Sequence, residues 1–132
     1  MFPATLLTAG ALGLVLLILS YRVVQMRVAG KISLGNGGDE RMLARTRAHA
    51  NFTEYAPMIL VLMLLVEASY GGAAPWGLWL VGLLTVLGRL LHARGMALSA
   101  PNKPRVFGMV LTFGCILFLS GWAAGLALGF IF

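Results

Sequence analysis

Four long stretches without charge, residues 4–21, 48–66, 68–88 and 106–132, constrain this chain more than any other feature, and only the second is interrupted, by Glu54. Crossing the roughly 30 Å hydrocarbon core of a bilayer takes about 20 apolar residues in a helix. Inside lipid every backbone amide must find its partner within the fold, which leaves helices and closed barrels as spanning structures. Barrel strands alternate in character over about ten residues. The run Leu14-Val15-Leu16-Leu17-Ile18-Leu19 does not alternate. The chain is therefore expected to be an all-α membrane protein, a bundle of four transmembrane helices, with residues 1–132 forming a single membrane domain. A hydrophobic content of 60% with 11% charged residues excludes an ordinary soluble domain. The first stretch has its positive charge after it and none before it, the reverse of a cleaved signal peptide, so it is read as a retained helix.

The ten Lys and Arg residues all fall in the first or third connection or in the helix ends beside them. The positive-inside tendency puts these two connections in the cytoplasm and both termini outside. Orientation and attraction to anionic headgroups account for the net charge of +6, so no nucleic-acid partner is inferred. Cys115 lies inside the fourth stretch and is read as a packed thiol.

The run Gly35-Asn36-Gly37-Gly38-Asp39 suits a tight loop, with Asp39 as N-cap and a second helix starting near Glu40, well before the membrane. Gly71-Gly72-Ala73-Ala74-Pro75 is a short turn, followed by Trp76 and Trp79 at the depth where indole rings favour the interface. The third connection, residues 99–104, contains Pro101 and Pro104 and predicts a helix break.

Arg47, Asn51 and Glu54 stand at i, i+4 and i+7 and share one helix face, with Tyr55 beside it. An ionisable residue at the depth of Glu54 needs an interior or wet setting with a partner. The stripe is thus either a binding site or a salt bridge locking helices together. Pro57 removes the helical hydrogen bond to the Thr53 carbonyl and invites a kink. On the third helix Arg89, His92 and Met96 form a second polar stripe on the same side. Taken alone, Arg89 reads as an interfacial snorkelling residue and His92 as a hydrogen-bonded helix-end residue. Arg105, opening the fourth helix, is unfavourable against the helix dipole, which leaves topology or a held anion as its reason. Together these groups describe a guanidinium-rich pocket with one carboxylate, an amide and a phenol, suited to a small zwitterion with excess negative charge. The sequence carries no metal-ligand cluster, catalytic triad signature, phosphate loop or dinucleotide fingerprint.

The segment Arg47-Ala48-His49-Ala50-Asn51-Phe52-Thr53-Glu54-Tyr55-Ala56-Pro57 closely resembles the MAPEG family, the membrane-associated proteins in eicosanoid and glutathione metabolism, and in particular its short bacterial branch. The four-span layout matches over nearly the whole chain. The resemblance implies a homotrimer in the bacterial inner membrane, with glutathione bound between neighbouring subunits near the cytoplasmic face. Carried over by motif position, Arg47, Asn51, Glu54 and Tyr55 are glutathione ligands, Arg27 approaches from an adjacent subunit, and His92 matches a third-helix ligand. Arg105 matches the arginine facing the glutathione sulfur, with Lys103 as the rival position. Met96 stands where eukaryotic members typically carry a tyrosine.

A fixed cation beside a thiol of ordinary pKa near 8.5 favours the reactive thiolate. The expected function is thus a glutathione-dependent membrane enzyme acting on a lipophilic substrate by conjugation, isomerisation or peroxide reduction. Two alternatives stand beside it. One is a non-catalytic member of the same fold that binds glutathione or a lipid headgroup, and the other is a small proton-coupled exporter using Glu54.

Overall fold

The computed structural model describes residues 1–99 and 101–129 and contains four helices, α1 (Pro3–Gly30), α2 (Glu40–Ser69), α3 (Trp76–Gly95) and α4 (Lys103–Ala127). Each is long and apolar enough to cross a membrane. The expected all-α transmembrane bundle is what the chain forms. The end of the fourth apolar stretch, residues 130–132, and residue 100 of the third connection lie outside the described residues.

Local chemistry sets the boundaries. α1 runs on past the apolar stretch, through Arg22 and Arg27, and stops where Lys31 turns left-handed (φ 51°) and its N–H returns to the carbonyls of Arg27 and Val28. The loop then uses Gly35, Gly37 and Gly38 at φ 68°, 59° and 78°, angles that only glycine adopts at little cost. Asp39 ends it as expected, its Oδ1 accepting from the backbone N–H of Arg41 (2.7 Å) and Met42 (3.1 Å). α2 continues unbroken across Pro57. Asn102 caps α4, accepting from the Arg105 N–H at 3.0 Å, so α4 opens at Lys103 and Arg105 sits inside its first turn.

α1 packs on α2 and α3, α4 packs on α3 and α2, and α2 meets α3 across the shorter diagonal, leaving α1 and α4 at opposite corners. Small residues permit the close approaches, as membrane helices require in the absence of a strong hydrophobic drive between them. A Cβ on Gly108 would stand 2.6 Å from the Gly88 carbonyl oxygen and 2.6 Å from the His92 nitrogen, so α4 lies directly against the α3 backbone there. Gly95 meets the Arg105 backbone in the same way one turn nearer the water. Cys115 is the buried, packed thiol expected, donating to the Val81 carbonyl at 3.8 Å.

The end of the bundle opposite the basic connections holds a feature the sequence reading passed over. Glu67, fully buried, reaches from the last turns of α2 to the start of α1, where its Oε1 accepts from the Ala4 N–H (3.0 Å) and its Oε2 from the Thr5 N–H (2.9 Å). A carboxylate at a helix N-terminus meets both the orphan donors and the positive end of the dipole. Phe2 offers no side-chain cap of its own.

Ala4, Val66, Leu78 and Leu119 pack in one cluster, so the four helices share a level near that end. From there α1 and α2 each run about 39 Å to the basic side, whereas α3 and α4 run only about 25 Å, at about 1.5 Å per residue. The α1–α2 hairpin therefore stands well over 10 Å taller than its neighbours.

Candidate functional site

Arg89 lies at the centre of the polar cluster and is only 1% exposed. The snorkelling reading is therefore corrected. Two turns inside α3, the side chain points into the bundle, where backbone and polar side chains of α2 and α4 replace water. Its Nη2 donates to Asn51 Oδ1 at 2.6 Å and contacts His92 Nδ1 at 3.4 Å, while Nη1 donates to Thr112 Oγ1 at 3.3 Å. Thr112 can accept because its own hydroxyl proton goes to the Gly108 carbonyl at 2.8 Å. The guanidinium carbon stands 5.7 Å from the Phe52 ring centroid, a cation–π contact. A guanidinium only donates, so His92 Nδ1 accepts and that ring carries its proton on Nε2. All three hydrogen-bonding partners are neutral, and Arg89 Nε has none. A buried cation with only neutral partners leaves net positive charge at the core of the bundle.

Two of the sequence-predicted residues, Asn51 and His92, are thus joined through a third that was not assigned to the site. Tyr55 stands half-buried beside them, its ring edge-on to Phe113 of α4 at 5.5 Å. Glu54 and Tyr55 lie within electrostatic reach of Arg89, and Arg105 within reach of His92.

The remaining candidates are placed differently. Arg47 and Glu54 are both exposed on the outer surface of α2, and neither locks it to another helix of the chain. Arg27 is half-buried at the end of α1, with Nη1 on the Ser33 carbonyl (3.1 Å) and the Ile32 carbonyl (3.4 Å), where it holds its own loop. Arg105 is exposed at the head of a groove of about 360 Å³ that runs down α4 past Val106, Met109 and Phe113. Lys103 lines a neighbouring groove of about 790 Å³ with Pro101, Phe107 and Val110. Met96 is half-buried against the α1–α2 core.

The role of Arg89 had one readable signal. It lies on the same stripe as His92 and Gly88, and small residues on one face mark the side of a helix that another helix covers. What no single helix reveals is that Thr112 and Asn51 arrive opposite it.

Fold and site together define a class: a four-helix membrane protein with a buried arginine hub and an arginine-headed, largely apolar groove along α4 at its basic end. The MAPEG family model matches residues 5–125, and the chain belongs to that family. Among curated proteins it is similar to the inner membrane protein YecN of Escherichia coli strain K12, 35% identical over 82 residues, or 62% of this chain and 61% of that protein. YecN of Escherichia coli O6:H1 matches to the same extent. The alignment thus spans about three-fifths of these relatives' length.

Proposed function

We propose that this protein is a glutathione-dependent enzyme of the bacterial inner membrane that works as a homotrimer on lipophilic electrophiles or peroxides. The observation that carries this reading is the Arg89 hub. A guanidinium whose hydrogen-bonding partners are all neutral holds Asn51 and His92 in fixed orientations and makes no ion pair of its own, with the Glu54 carboxylate within electrostatic reach but not in contact. Glutathione fits that chemistry, since it carries two carboxylates against one ammonium. Arg47 and Arg105 supply forks for the carboxylates or the sulfur, and Glu54 supplies an acceptor for the ammonium. Within one subunit Arg47 and Glu54 face outward, a costly position for charges near lipid. A neighbouring subunit laid over this face turns them into the wall of a cleft, which supports the trimer.

Bound glutathione supplies the sulfur nucleophile. The chain's own part is to hold the peptide through Asn51, Glu54, Arg47 and Tyr55, and to keep Arg105 where its charge favours the thiolate over the thiol. Arg27 joins from the adjacent subunit through the donors its loop leaves free. The apolar groove below Arg105 gives a bilayer-dissolved substrate a lateral route to the sulfur. Met96 offers no hydroxyl, which favours, as a second reading, a protein that binds glutathione without turning it over. The exporter reading draws nothing from the bundle interior, because Glu54 stands outside it.

An ultraviolet difference titration with glutathione near pH 7 tests the proposal, with S-methyl glutathione as the control that cannot ionise. A saturable thiolate band lost in Arg105→Ala is the expected result. Binding without the band moves the protein to the silent-binder reading, and loss of the band in Lys103→Ala but not Arg105→Ala reassigns the cation. Absence of binding rejects the glutathione site altogether.

A further inference from the structure

A second basic site lies inside the subunit, on a different face of α2. Arg22 of α1 and Arg41 and Arg45 of α2 converge on a cavity of about 160 Å³ closed from below by Leu19, Ala48 and Ala93. That is roughly ten times the volume one water requires. Arg22 and Arg45 are half-buried, and Arg45 Nη1 donates to the Arg22 backbone carbonyl at 3.1 Å, which holds one guanidinium in place with its other donors free. The lining contains no carboxylate. The face Arg41–Arg45–Ala48 is turned about a third of the helix circumference from Arg47–Asn51–Glu54, toward α1 and α3.

The depth and the continuation of the cavity say what it takes. Leu19 and Arg22 mark the point where the uncharged stretch of α1 gives way to charge, the level of lipid phosphates. Leu19, Arg22 and Ala93 also line an adjoining groove of about 230 Å³ between α1 and α3, walled by Val15, Ile18 and Leu90, with Arg94 adding a second cation to its lining beside Arg22. Cations at headgroup level over an apolar groove match an amphiphile with an anionic head. We propose that this is a binding site for an anionic phospholipid, its phosphate gripped by Arg22, Arg41 and Arg45 and one acyl chain lying along the α1–α3 groove. Guanidinium forks suit phosphate oxygens, and a free phosphate would gain nothing from the groove.

The test is a thermal-shift titration of delipidated, detergent-solubilised protein with phosphatidylglycerol, phosphatidylcholine of the same chains, and inorganic phosphate. A ligand that binds only the folded state raises the melting temperature. Phosphatidylglycerol is expected to act saturably at concentrations about tenfold lower than phosphatidylcholine. Arg41→Gln, a change at an exposed side chain, is expected to weaken this about fivefold. The triple variant Arg22→Gln/Arg41→Gln/Arg45→Gln should respond to both lipids alike, while Lys31→Gln, in the exposed loop, keeps the preference. Equal response of the wild type to both lipids, or a preference that survives Arg41→Gln undiminished, overturns the proposal. Stabilisation by inorganic phosphate to the same plateau overturns the lipid assignment in favour of a free anion. Thiolate formation is read separately on the same variants, so failure here leaves the glutathione reading untouched.

Discussion

Arg89 illustrates how much a single side chain's meaning depends on what faces it. Its donors are divided between Thr112 of α4 and Asn51 of α2, so it fastens three helices at one point. An ammonium is a compact point charge without the planar fork that reaches both sides at once. Arg89→Lys should therefore lower the melting temperature in detergent by about 5 °C and weaken glutathione binding about tenfold, through loss of a charge-assisted bond to Asn51. Arg94→Lys, at an exposed position on the same helix, should change neither. Residue spacing alone brought Asn51 near Glu54 and Arg89 near His92. It placed the two stripes at the same end of the bundle but could not show that Arg89 joins them, because that depends on the rotation of α2 and α3 about their own axes, which is fixed by packing.

For the elements, the legible parts were those governed by local chemistry. Asp39 and the glycines before it announced the start of α2, and the Gly71–Gly72 run announced the short turn between α2 and α3, though not that these two helices meet only across a diagonal. Non-local chemistry was silent: nothing near Pro3 indicates that the first helix takes its cap from Glu67, more than sixty residues away. The glycine contacts of α3 with α4 were equally hidden, since Gly88 and Gly108 matter only as a pair. The Glu67 latch predicts that Glu67→Ala costs about 1–3 kcal/mol, the scale for leaving buried donors unpaired. Hydrogen exchange should localise that loss to the first turn of α1, with the Arg89 region unaffected. Uniformly faster exchange along the whole bundle would show instead that the carboxylate supports the core and not the helix end.

At the scale of the molecule the charged α2 stripe of Arg47 and Glu54 is open on one side, and the proposed function has a second copy of the chain close it. Light scattering in a mild detergent should accordingly return the protein mass of three chains, and Glu54→Ala should leave that mass unchanged while abolishing glutathione binding. A monomer in detergent that still binds glutathione would sink the shared-cleft arrangement. The sequence made the components of this site readable but not their outward aim, which follows from the corners that α1 and α4 occupy. The unequal height of the helices has a consequence of its own. The tall α1–α2 hairpin is a parapet on one flank of the basic end, while the short α3 and α4 form a low sill beside it, with Arg105 in the first turn of α4. Arg105 is therefore open to water over the sill, while the groove along α4 opens sideways beneath it; under the proposed function, two phases that do not mix would have a common address there.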